Sequence, residues 1–389
     1  MMQNVVPTFR PDQQYTIDFI KTRPAAGIFL DMGLGKTLST LTALKEMLEE
    51  KTIYGNILIV APKVVSIHTW VDEIKKWDHL KDLPIEVLTT ITSKKKRLER
   101  YEQILSETTP KIYTVNYEKL KQMILYYDKK WPFPNIVFDE IQYLRSHTNK
   151  TTKEIVKLHK WNNQYIEQAR QQNDYQMYLN RPLRRIIGLT GTPAPKGYIN
   201  LWGELACLDG GRRLGPNITS YRNTWFYPQG RTKNGDGFGW TLRSGAQQEI
   251  IEQISDICLS MESKDKVKLP KIIYNNVKVT LSNEEREIYE TLKKEKILDV
   301  ITEEIHAKNA GVLVSQLLQL ANGALYGNKD AVTQKQETYL VHDKKLDALE
   351  QIVDQAQEQP LLVFYWFKSD LKRLKQRFPQ AEVYNDKDR

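Results

Sequence analysis

Short apolar runs alternate with amphipathic stretches from about residue 25 to 210. The runs are 27–30 (Gly-Ile-Phe-Leu), 57–61 (Ile-Leu-Ile-Val-Ala), 85–88, 111–116, 135–138 (Asn-Ile-Val-Phe) and 185–189. In 37–50, by contrast, Leu41, Leu44, Met47 and Leu48 recur at i, i+3, i+6 and i+7, which makes one apolar helical face. Near-continuous apolar strands separated by helices predict an α/β fold whose parallel sheet is covered on both faces. Ligands of such sheets sit at the carboxyl ends of the strands.

Further along, the pattern changes. Residues 151–181 are polar, glutamine-rich and helix-favouring, a helical excursion on the first domain. Residues 209–245 mix glycines with Arg212, Arg213, Arg222, Arg231 and Lys233 and with Tyr221, Trp225, Phe226 and Tyr227. That composition fits either a basic surface loop or a nucleic-acid contact. A boundary is expected near Lys268-Leu269-Pro270. Beyond it, 271–281 alternates as a strand with one exposed face, and Ser282 with Glu285 forms a capping box opening a long helix. The run 361–367 (Leu-Leu-Val-Phe-Tyr-Trp-Phe), a helix at 369–377 and a strand at 381–384 begin a second sheet. Two parallel strands cannot cover themselves, so that sheet is expected to be incomplete or completed from elsewhere. The expected division is 1–208, 209–268, 269–345 and 346–389.

A chain of 389 residues can hold two or three domains. Its 57 Lys and Arg against 48 Asp and Glu favour a polyanionic partner, and 20 tyrosines and 8 tryptophans offer rings that stack on bases or fill cores. Cys207 and Cys258 stand far apart, and the 6 histidines form no metal-ligand spacing. No stretch approaches the ~18 apolar residues of a membrane span, so a cytoplasmic protein without a membrane partner is expected.

The candidate chemistry lies at three strand ends. After 27–30 comes Asp31-Met32-Gly33-Leu34-Gly35-Lys36-Thr37. Gly33 and Gly35 let successive N–H groups point at one anion, Lys36 adds a charge for β/γ-phosphates, and the Thr37 hydroxyl can ligate Mg²⁺. Leu30 stands where the usual pattern has its first glycine, so the segment alone also fits an ordinary strand–helix turn. After 135–138 come Asp139 and Glu140, on the same sheet edge. There Asp139 can hold Mg²⁺ and Glu140 can polarise the water attacking a γ-phosphate. After 185–189 come Thr190, Gly191 and Thr192, whose hydroxyls can link a nucleotide site to a moving neighbour.

In this order the signals resemble a Swi/Snf-type ATPase of helicase superfamily two, of bacterial or phage type. The resemblance runs through Arg10-Pro11-Asp12-Gln13, the 31–37 loop, 57–77, Thr114-Val115-Asn116-Tyr117-Glu118, 139–142, 189–193 with the Leu-Trp-Gly-Glu-Leu that follows, 317–326, 342–346 and 361–367. It implies a RecA-like ATP-binding lobe, a second and incomplete RecA-like lobe, ATP with Mg²⁺, and a motor that translocates on double-stranded DNA. By the same resemblance Gln13 reads adenine. Leu34 and Leu38 join Gly33, Gly35, Lys36 and Thr37 in holding the nucleotide, and Thr190, Gly191 and Thr192 couple the lobes. Lys63, His68, Thr114 and Asn116 become candidate DNA contacts, with Arg212, Arg213 and Arg222 behind them.

Gln142 replaces the family's histidine and is expected to keep a hydrogen-bonding link at the ATP site. The family's last two motifs, with an arginine worth about 10³–10⁵ in rate, are expected beyond Arg389. The chain alone is therefore expected to bind ATP and hydrolyse it poorly. A strand-separating helicase on single-stranded DNA or RNA, and a non-hydrolysing ATP- and DNA-binding module, are the competing readings.

Overall fold

The computed structural model describes residues 8–194, 197–231, 238–262, 275–302, 307–329, 336–356 and 360–383. The chain divides into two compact units, Met1–Pro270 and Lys271–Arg389. In the first, the apolar runs form β1 (Ala25–Leu30), β2 (Ile57–Ala61), β3 (Ile85–Val87), β4 (Ile112–Asn116), β5 (Asn135–Asp139) and β6 (Arg185–Thr190). A hairpin, β7 (Phe226–Arg231) with β8 (Phe238–Leu242), and a short strand β9 (Cys258–Met261) follow. Seven strands make one sheet in the order β3-β4-β2-β5-β6-β1-β9, every pair parallel.

The sheet is buried on both faces because successive side chains point to opposite sides. Phe29, Leu58, Val60, Tyr113, Val115, Ile136, Phe138 and Ile186 belong to one core. Ile28, Leu30, Ile57, Ile59, Ala61, Ile112, Val137 and Ile187 belong to the other. Helices Pro11–Thr22, Lys36–Glu49 and Thr69–Lys76 close the second core with Ile17, Leu41, Leu44, Met47 and Trp70. Helices Tyr117–Tyr127, Lys150–Gln171 and Leu201–Asp209 close the first.

One strand is new. β9 lies inside the segment 209–268 expected to be an insertion, yet it pairs with β1, Gly27 opposite Cys258, as the edge strand of the sheet. At 4 residues it is too short for its pattern to stand out in the sequence. The excursion between Leu201–Asp209 and β9 therefore starts and ends on the first sheet. Lys233 and the expected boundary residues 268–270 lie outside the described residues.

In the second unit, helices Asn283–Thr302 and Ala307–Asn322 precede an antiparallel hairpin, β10 (Ala324–Lys329) with β11 (Gln336–Leu340), and helices Lys344–Gln355 and Lys368–Arg377. The capping box forms: Ser282 N donates to Glu285 Oε2 at 2.7 Å and Glu285 N to Ser282 Oγ at 3.2 Å. Three expected strands do not. Residues 275–281, 361–367 and 381–383 pair with no strand, while 271–274 and Tyr384 lie outside the described residues. An apolar or alternating run becomes a strand only when a neighbour takes its backbone N–H and C=O groups. Among the described residues no helix is long and apolar enough to cross a membrane.

Candidate functional site

The parallel order brings the carboxyl ends of β1, β6 and β5 side by side on one edge. At β1 the chain turns through Gly33 (φ +81°) and Gly35 (φ +83°), a left-handed conformation that glycine adopts without strain. A side chain at Gly35 would also lie 2.4 Å from Gln13 Nε2, whereas one at Gly33 would meet nothing, so the loop is packed behind and open in front. Lys36 begins the helix Lys36–Glu49 and folds back over the loop, its Nζ donating to Leu30 O at 2.6 Å and Asp31 O at 3.2 Å. Burial lowers its pKa, and the Glu140, Asp139 and Asp31 carboxylates oppose that shift. Lys36 thus feels both carboxylates from the end of β5.

Those carboxylates are held by contacts invisible in local sequence. Asp139 Oδ2 accepts from Trp70 Nε1 at 2.9 Å, and the Tyr117 hydroxyl donates to the Asp139 carbonyl at 2.9 Å. Burial raises the Asp139 pKa to about 6; Glu140 adds to the rise, while Trp70 and Lys36 oppose it. Glu140 adopts φ +58°, ψ +57°, left-handed for a residue with a side chain. Such a conformation costs about 1–3 kcal/mol and is characteristic of functional turns. Gln142 Nε2 donates to Glu140 Oε2 at 2.7 Å, so the residue in the family's histidine position fixes the neighbouring carboxylate.

Strand β6 lies between the two groups, with Phe29 opposite Thr190 and Asp139 opposite Leu189. Two inter-strand steps separate β1 from β5 by about 10 Å. Gly191 fills the gap: a side chain there would approach Lys36 Nζ to 3.7 Å. Thr190 is buried, its Oγ1 accepting from Thr192 N at 3.0 Å, and Thr192 is exposed. A hydroxyl at Thr37 and the oriented Asp139 carboxylate are hard oxygen donors suited to Mg²⁺, which takes only one or two carboxylates and fills its shell with phosphate and water. Among the described residues no group of three or more His, Cys, Asp or Glu could hold a metal ion.

Gln13 is buried beneath the cradle, its Oε1 accepting from Arg10 N at 3.0 Å, while Arg10 donates to Leu34 O at 3.2 Å. Leu34 and Leu38 can meet the nucleotide in one way only. Their side chains are buried in the core under the loop, so only their backbone is available to a ligand.

The expected DNA contacts separate into groups. Lys63 is exposed and His68 half-buried on the short helix that leaves β2 at the carboxyl edge. Thr114 and Asn116 need correcting: both are buried, the Thr114 hydroxyl donating to Ser66 O at 2.6 Å and the Asn116 amide to Glu118. Thr114 anchors the helix that carries Lys63 rather than meeting a ligand itself. Lys119, missed in the sequence, joins this edge. Burial lowers its pKa, and the positive charges of Arg97 and Lys63 lower it further.

Arg222 lies over the Trp240 ring at 5.3 Å, and its charge helps lower the pKa of half-buried His147, itself lowered chiefly by burial. Arg212 and Arg213 do not join this group, because they sit at the opposite edge of the sheet, away from the cradle. Arg213 pairs with Asp209 at 3.2 Å and with Asp256, whose backbone carbonyl accepts from Arg23 just before β1.

The helix Leu201–Asp209 backs the site. A side chain at Gly203 would come within 2.4 Å of Arg145 O and 2.6 Å of Leu144 O, so backbone meets backbone directly behind the carboxylates. Gly203→Ala is expected to cost about 1–3 kcal/mol, the usual range for overpacking, read as a lower denaturant midpoint.

Next to it Glu204 is fully buried, and burial raises its pKa to about 8, against the Ala194 backbone and the Arg145 charge. The folded chain keeps this proton where the unfolded chain, near 4.5, has lost it. The stabilising effect is complete below the unfolded pKa and is lost as pH rises toward 8. The stability of wild type relative to Glu204→Gln should fall between pH 5 and 8, by at most about 1.4 kcal/mol per unit, and level off above. Thermal melts of both chains across that range check it.

A glycine-turn lysine and a strand-end Asp–Glu pair on one edge of a parallel sheet define a P-loop ATPase core. The SNF2-related domain model matches residues 15–323, and the chain belongs to that family. Protein p41 of Acyrthosiphon pisum secondary endosymbiont phage 1 is 31% identical over 383 residues, 96% of this chain and 75% of that protein. The uncharacterized ATP-dependent helicase MG018 of Mycoplasma genitalium is 25% identical over 298 residues, 76% of this chain but only 24% of that protein. The Sulfolobus solfataricus SWI2/SNF2 ATPase core in complex with dsDNA shares the fold, with a TM-score of 0.50 at 19% identity, over 97% of this chain and 71% of that one. Membership makes the chain a helicase-like ATPase in kind.

Proposed function

We propose that the chain hydrolyses magnesium-bound ATP and spends the cycle moving along, or remodelling, duplex DNA. Lys36 holds the β/γ-phosphates, and Gln13 reads the adenine. Thr37 and Asp139 would hold Mg²⁺, which supplies charge neutralisation at the transferred phosphoryl group. Glu140, fixed by Gln142, polarises the attacking water. Gly191, beside Lys36, lets the 190–192 turn respond to the γ-phosphate. The observation that carries this reading is the convergence of the ends of β1, β6 and β5 on one edge, with Gly191 beside Lys36 and Asp139 one strand away.

Lys63, His68, Lys119 and Arg222 are the candidate grip on the phosphodiester backbone. Contacts of that kind are sequence-tolerant and weaken steeply with salt. The dsDNA in the Sulfolobus complex supports a duplex partner. Slow turnover by this sequence alone is part of the proposal, because residues 361–367, where the resemblance expects the second lobe's sheet, pair with no strand. Phosphate release is expected to rise most with duplex DNA when compared with no nucleic acid, single-stranded DNA and RNA. Equal or greater stimulation by RNA or single strands would favour a strand-separating helicase. No release under any condition would favour a binding module.

A further inference from the structure

At the edge of the sheet opposite the phosphate cradle, the starts of β1, β6 and β9 open onto a cavity of about 570 Å³. The 6 residues of β1 put about 20 Å between the two edges. Six arginines and three carboxylates line the cavity. Two of those carboxylates, Asp209 and Asp256, are already engaged by Arg213. Among the described residues Arg170, Arg181, Arg184 and Arg212 pair with no carboxylate. Arg184 Nε is buried and has no hydrogen-bond partner, and burial together with the charge of Arg181 lowers the Arg184 pKa. Like charges are thus collected with a donor left unsatisfied, an arrangement that favours an anion between them.

Aromatic rings stand beside these cations. Arg184 lies over Tyr54 at 5.0 Å and Arg181 over Tyr178 at 4.5 Å, while Tyr178 stacks on Tyr175 with an interplanar angle of 22°. Tyr54 and Tyr175 are 54% and 69% exposed, so their outer faces are open. Paired guanidinium and ring planes are what a single strand needs, phosphates going to the arginines and unstacked bases to the rings. A duplex keeps its bases stacked inside and offers these rings nothing. An acidic peptide would use the arginines and leave the rings idle.

We propose that this cavity is a second nucleic-acid site, which takes a single DNA strand on Arg181, Arg184 and Arg212 with a base stacked on Tyr175. The site is separate from the ATP edge, so its failure and the failure of the motor reading are distinguishable. The test is the anisotropy of a fluorescent oligothymidylate with the full chain across a salt series. Wild type is compared with Arg181→Ala/Arg184→Ala and with Tyr175→Ala, and binding of a fluorescent ATP analogue serves as the control for folding.

Tyr175→Ala is expected to weaken strand binding about 5-fold or more, the smallest effect of losing one stacked base. The double arginine variant should flatten the log–log salt slope by about 1.4, two phosphates at ~0.7 each. The ATP analogue should bind all three proteins alike. Unchanged strand affinity and slope in both variants would overturn the proposal. So would displacement of the oligonucleotide by polyglutamate with no effect of Tyr175→Ala, which would point to an acidic protein partner.

Discussion

Replacing Glu140 with glutamine should slow phosphate release by about 10²–10⁴-fold, the usual contribution of a positioned base, and leave ATP affinity within a few-fold. The substitution keeps the shape of the side chain and an oxygen that can accept from Gln142, which now donates to Glu140 at 2.7 Å. It removes the charge proposed to polarise the attacking water. The left-handed turn at φ +58° holds the side chain at the end of β5 regardless of that charge. In the proposed reading ATP binding rests on the cradle, Lys36 and Gln13; the change removes one of the carboxylate charges that Lys36 faces and leaves the cradle and Gln13 in place. Single-turnover phosphate release beside equilibrium nucleotide binding separates the two effects. A variant as fast as wild type would mean that the water is activated by another group.

Lys36→Ala should act on binding instead. The ammonium faces Glu140, Asp139 and Asp31 and lies over the carbonyls of Leu30 and Asp31. With a triphosphate present it becomes the main positive charge of the protein against the β/γ-phosphates. Losing one partner of a buried charge pair costs about 2–4 kcal/mol, or ~30- to 1000-fold in affinity. Asp139 would also lose the cation that opposes its rise toward neutral pH, so its proton would be held more tightly. Titration with a fluorescent ATP analogue reads the loss directly.

The sequence made the strands legible where the chain supplies a full-length apolar run, as at 57–61 and 135–138. It could not reveal β9, whose 4 residues acquire meaning only beside Gly27 of β1. The opposite error occurs at 361–367, where composition reads as a strand but no neighbour supplies a ladder.

The candidate site was legible because a phosphate loop and an Asp–Glu pair are contiguous and their residue types have few other uses together. Their supports were not. Trp70 and Asp139 meet across 69 positions, and Glu204 reveals itself only as a carboxyl sealed in a core. Thr114 and Asn116 show why candidate surface contacts are hard to read. A threonine or asparagine at a strand end is the same letter whether it faces solvent or anchors its neighbour. Arg212 and Arg213 were legible as charge but not as position, since only the sheet order assigns them to the far edge.

All of this depends on one triphosphate being gripped from both sides of β6. A crystal structure of the Glu140→Gln chain with magnesium and ATP measures that directly. The expected result is a γ-phosphate within about 3 Å of Lys36 Nζ and a water bridging it to the side chain at position 140. A nucleotide bound elsewhere, or Lys36 still on the Leu30 and Asp31 carbonyls with the γ-phosphate remote from β5, would contradict it.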